Sequence, residues 1–115
     1  MLPRISAQSW VSVIGGLIMS KSIIPGDRKG ICYLCKRCGA TEKHHIFRGK
    51  NRKRADADGM TVYLCHFCHN EPPGGVHYNK DRDLRLKQIG QSQWMFHYMK
   101  TVDEFIQAYG RNYLD

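Results

Sequence analysis

The five cysteines of this 115-residue chain fall as Cys32-Tyr-Leu-Cys35, Cys38 and Cys65-His-Phe-Cys68. Two C-x2-C pairs about 30 residues apart have the spacing at which two thiolate knuckles meet around one tetrahedral ion. Cys32, Cys35, Cys65 and Cys68 are therefore the expected ligands of a structural Zn²⁺, whose binding would add directly to the folding free energy of so small a domain. The register has an alternative, because Cys35-Lys-Arg-Cys38-Gly39 is also a C-x2-C and carries the glycine that tight knuckles favour. Disulfides are the rival chemistry, and an odd count of five leaves one thiol over in any such scheme.

Four of the six histidines, His44, His45, His69 and His77, crowd into the same part of the chain and offer both metal ligands and bases. His44 and His45 are adjacent, and neighbours on an extended strand point to opposite faces. They are poorly placed to chelate one ion together, but one can ligate a metal while the other faces a substrate. Helical rotation after Cys65 likewise separates Cys68, turned toward zinc, from His69, turned toward a second metal.

Between these groups Arg48, Lys50, Arg52, Lys53 and Arg54 put five cations in seven residues. The whole chain carries 18 Lys+Arg against 10 Asp+Glu, a formal charge of +8 that favours an anionic partner such as nucleic acid. The five cations are the expected phosphate contacts, and such contacts make binding fall steeply with salt. A solvated charge run is the bland alternative. Lys80, Arg82, Arg85 and Lys87 either extend that footprint or cover one helix face.

The elements that must position these groups read as α+β. Glu42 to Phe47 and Thr61 to Leu64 are candidate strands, joined by a polar basic loop from Arg48 to Gly59. A helical turn or two follows Cys65 as far as about Glu71, where Pro72-Pro73-Gly74-Gly75 must stop it. A longer helix from Asp81 places Leu86, Ile89, Phe96 and Met99 on one face. Thr101 and Glu104 have the spacing of a capping box, Val102, Phe105, Ile106 and Tyr109 repeat at helical spacing, and Gly110 stands at the C-terminal cap.

The length allows one small domain and excludes multidomain enzymes and large dinucleotide-binding sheets. The turn-rich Pro25-Gly-Asp-Arg-Lys-Gly30 divides an N-terminal extension, residues 1–28, from a working domain over residues 29–115. Met19-Ser-Lys-Ser22 has the look of a start, with a secretory signal as the rival reading; the apolar run from Trp10 to Met19 is too short to span a membrane.

Cys32-Tyr-Leu-Cys35, Glu42-Lys-His44-His45-Ile-Phe, Val62-Tyr-Leu-Cys65-His-Phe-Cys68-His69-Asn70 and Gly75-Val-His77 follow one another in an order that resembles the HNH endonuclease superfamily, over about residues 30–79. The arrangement is most similar to the small HNH proteins of bacteriophages and prophages, related to a phage recombination-enhancement nuclease, and the similarity extends through Leu84 to Gln91. The resemblance implies a ββα-metal (His-Me finger) unit on a four-cysteine zinc knuckle, with the C-terminal helices packed against it. It also implies metal-dependent hydrolysis of DNA phosphodiester bonds in the cytoplasm of a bacterial host, in phage or prophage DNA processing or recombination. Partners would be DNA and recombination or phage replication proteins, with no membrane and no organic cofactor.

By the same resemblance His45 is the general base and His44 and His69 are ligands of a catalytic divalent metal, to which His77 is added. An all-histidine site suits Zn²⁺, Mn²⁺ or Ni²⁺ better than Mg²⁺, which prefers oxygen. The family's middle Asn would fall at or next to Met60; Asn51 and Asn70 are the nearby substitutes. Without that Asn, the alternative is a zinc-ribbon module that binds nucleic acid and does not cut it.

Overall fold

The structure, a computed structural model, describes residues 11–14 and 17–114. The reading of residues 1–10 as part of an N-terminal extension lies outside the described residues. Val11–Ile14 (β1) and Leu17–Ser20 (β2) pair antiparallel, from Val11 opposite Ser20 to Ile14 opposite Leu17. A second hairpin pairs Glu42–His45 (β3) with Thr61–Leu64 (β4), Glu42 facing Leu64 and His45 facing Thr61. Among the described residues four α-helices complete the small α+β fold: Arg52–Asp58 (α1), His66–Asn70 (α2), Lys80–Tyr98 (α3) and Val102–Tyr109 (α4). Among the described residues no helix is long and apolar enough to cross a membrane.

The segment from Arg48 to Gly59, expected as a loop, is a 3-10 turn over Gly49–Asn51 running into α1. Its charge disguises a helix: no Pro interrupts it, Ala55 is buried beneath it, and Gly59, at φ +84°, ends it in the left-handed conformation. A Cβ on Gly59 would stand 2.4 Å from the Lys21 carbonyl oxygen, so no other residue fits without movement. Met60, Val62 and Leu64 follow directly into the core.

That core extends further toward the N-terminus than the turn at residues 25–30 suggests. Ile23 and Ile24 are buried, Ile23 N–H donates to the Gly59 carbonyl at 2.8 Å, and Asp27 Oδ1 accepts from the Tyr63 N–H at 2.8 Å. The packed unit therefore begins before Lys29, because two isoleucines ahead of the turn fill space beside the hairpin.

Helix α3 buries Leu86, Gly90, Gln91 and Trp94, with Ile89 half-buried. Phe96 and Met99, expected on that face, are 80% and 84% exposed. The true contact stripe runs at intervals of four, and Phe96 is rotated away from it. Gly90 lets the helix approach closely: a Cβ there would lie 3.2 Å from Phe47 Cε2 and 3.3 Å from Ile46 Cγ2. Phe47, Trp94, Phe105 and Tyr109 form an aromatic cluster, with Phe105 and Tyr109 stacked at 4.7 Å. Asp58 at the end of α1 ties this cluster to the hairpin, accepting from Trp94 Nε1 at 2.9 Å and from the Tyr109 hydroxyl at 2.6 Å. The capping box of α4 forms as its sequence predicts, Thr101 and Glu104 exchanging hydrogen bonds.

Candidate metal centres

The first C-x2-C lies in a tight turn. Cys32 N–H donates to the Arg37 carbonyl, Lys36 N–H donates to the Cys32 carbonyl, and Ile31 pairs with Cys38 across the base of the turn. Lys36 takes φ +68° to close it. The second C-x2-C spans the β4–α2 junction, with Cys65 extended ahead of the helix and Cys68 on its buried side. The sulfurs of Cys32, Cys35, Cys65 and Cys68 all lie within 4.8 Å of one another, so they could hold a structural metal such as zinc. Cys38 is exposed and stands outside this group, which decides the register in favour of Cys32.

The cluster's electrostatics fit a cation. Burial opposes ionisation of Cys32, yet backbone N–H groups of Cys35, Cys65 and Leu34 outweigh it and bring the thiol down to about 6. Burial, followed by the surrounding sulfurs, pushes Cys68 up to about 12. One thiolate forms readily and a further one is resisted, an imbalance that a dication at the centre removes.

A second group is built from histidine. Strand β3 sends His44 inward, α2 supplies His69, and a 3-10 turn over Val76–Tyr78 supplies His77. One ring nitrogen from each lies within 4.8 Å of the others, and the Nε2 atoms of His69 and His77 are 3.0 Å apart. His44 is 1% exposed, and neither of its ring nitrogens has a hydrogen-bond partner. Burial, then the charges of His69, His77 and Arg48, hold it down to about 3, so it is a neutral imidazole with a free lone pair. Such a group is in the form that binds a metal, and an ion held by these three nitrogens would keep positions for other ligands.

Two residues not singled out from the sequence support this group. Glu42 accepts from His69 Nδ1 at 2.7 Å, which directs His69 Nε2 toward the cluster, and its second oxygen lies 3.4 Å from His66 Nδ1. Asp83 accepts from Arg48 Nη2 at 3.3 Å, while Arg48 Nη1 meets His77 Nδ1. The strand's alternation signals Glu42, because residues 42 and 44 share a face.

His45 faces away from His44. Its Nδ1 lies 2.7 Å from Asp56 Oδ1 and its Nε2 lies 3.1 Å from Arg52 Nη2, both on α1. Sequence reasoning misses Asp56 because it falls in a segment whose polarity reads as loop. Of the five cations, Arg48 and Arg52 thus reach toward histidines, Arg54 packs over the Tyr109 ring at 6.0 Å, and Lys50 and Lys53 are exposed. Asn51 donates to the Tyr109 carbonyl at 3.0 Å and so fastens the C-terminal region to the segment ahead of α1. Asn70 closes α2 at the surface. Comparisons with models of known families, with curated proteins and with solved structures gave no match.

Proposed function

We propose that the chain is a metal-dependent endonuclease of the HNH type that hydrolyses DNA phosphodiester bonds, built on a ββα-metal unit with a four-cysteine zinc knuckle. The observation that carries this reading is the pairing on one strand of His44, buried and unpartnered within a three-histidine group, with His45, turned outward against a carboxylate. A divalent cation held by His44, His69 and His77 would stabilise the charge that builds on the phosphate and on the departing oxygen.

The remaining steps belong to the chain's own residues. Asp56 holds the proton on His45 Nδ1, which leaves Nε2 as the accepting nitrogen. Nε2 takes a proton from water as the water oxygen bonds to phosphorus, the bond from phosphorus to the 3′ oxygen breaks, and solvent reprotonates that oxygen. The cations at Arg48, Lys50, Arg52, Lys53 and Arg54 supply phosphate contacts that place the backbone. Incubation of supercoiled plasmid with Mg²⁺, Mn²⁺, Ni²⁺ or Zn²⁺ tests this, nicked or linear product being expected. Salt-sensitive DNA binding with no cleavage under any metal would instead favour a zinc-ribbon binding module.

A further inference from the structure

The nitrogen that must accept water's proton is already occupied. Arg52 and Asp56 stand one helical turn apart on α1, and both reach His45, while Asp56 Oδ2 lies 3.6 Å from Arg52 Nε. With the proton of His45 on Nδ1 beside the carboxylate, Nε2 carries the lone pair. A guanidinium has only N–H groups to offer, so Arg52 donates into that lone pair.

We propose, on the basis of the nuclease reading above, that Arg52 is a substrate-operated latch on the base. In the free protein it covers His45 Nε2; when a nucleic-acid backbone arrives, it transfers its N–H groups to a phosphate oxygen and leaves Nε2 open to water. Three features favour the exchange. An anionic phosphate oxygen is a stronger acceptor than a neutral imidazole nitrogen. The Arg52 side chain is 57% exposed on the first turn of its helix and swings without disturbing the core. Asp56 stays behind to hold the His45 tautomer throughout. Lys50 and Lys53, exposed beside Arg52, draw the polyanion to the same place. The latch confers specificity: a long phosphate backbone opens it, and a small isolated diester does not.

Arg52→Ala, with Arg52→Gln as a second variant, tests the proposal; alanine favours helix, so α1 is retained. The first readout is acylation of His45 by diethylpyrocarbonate, followed by peptide mass spectrometry, with His66 as the internal reference. Loss of one modest hydrogen bond should speed His45 acylation about threefold or more. The second readout compares substrates in Mn²⁺: turnover of bis(4-nitrophenyl) phosphate should rise in the variants while KM for plasmid DNA also rises. If Arg52 is a phosphate contact alone, DNA cleavage weakens while His45 acylation and small-diester turnover stay unchanged, and that overturns the latch but leaves the nuclease. Absence of hydrolysis of either substrate by the unaltered protein with every metal overturns the nuclease and the latch together.

Discussion

An unpaired polar atom in a protein interior costs about 1–3 kcal/mol, and His44 has two of them. A bound cation would relieve one, which makes His44 a candidate ligand. His44→Ala should therefore lower the affinity of the zinc-loaded protein for a second divalent ion by about a hundredfold or more while leaving the cysteine-bound zinc in place. Equilibrium dialysis with Ni²⁺ and metal analysis reads both quantities; unchanged Ni²⁺ binding would remove His44 from the set. Glu42 touches the centre only through His69, so Glu42→Gln should weaken Ni²⁺ by about 10- to 100-fold and leave the unfolding midpoint nearly unmoved. Strand alternation and the helix after Cys65 make His44 and His69 legible as candidate ligands, whereas nothing local in the sequence shows that the 3-10 turn over Val76–Tyr78 brings His77 beside them. The partners of His45 are not legible, since Asp56 lies eleven residues further along the chain.

The elements differ in how far local sequence determines them. Helix α4 carries its own boundary signals in Thr101, Glu104 and Gly110, so it forms where its residues predict. Helix α1 carries none that outweighs its charge, and its one buried residue, Ala55, is too small to announce an apolar face. Apolar spacing misassigns the face of α3 because the contact stripe contains Gly90 and Gln91, which such spacing overlooks. The knuckle register is ambiguous in sequence and is settled by the Ile31–Cys38 pairing, which turns Cys38 outward. Cys38→Ser should thus keep about one zinc per chain, whereas Cys35→Ser should lose it, as metal analysis after dialysis would report. Asp58→Ala strands Trp94 Nε1 and the Tyr109 hydroxyl together, and should destabilise the fold by about 2–4 kcal/mol in urea unfolding followed by circular dichroism.

On the scale of the whole molecule, four thiolates around one zinc ion would lower the formal charge from +8 to about +6 and leave the protein basic. All five cations in the inter-strand segment are exposed, and Arg48, Arg52 and Arg54 also have partners within the fold, so Lys50 and Lys53 are the two that can be replaced without breaking such a contact. Replacing both with alanine should reduce the slope of log affinity against log salt by about 2. Two candidate metal centres flank one hairpin: the four sulfurs stand at the entry of β3 and the exit of β4, and the three histidines come from β3, α2 and the turn that follows. The most direct test of the proposed nuclease compares plasmid cleavage and DNA binding by the zinc-loaded protein and by His45→Ala under one divalent metal. Equal DNA affinity, equal zinc content and cleavage reduced by about 10² to 10⁴ are expected; cleavage by His45→Ala at the unaltered rate would overturn the assignment of His45 as the base.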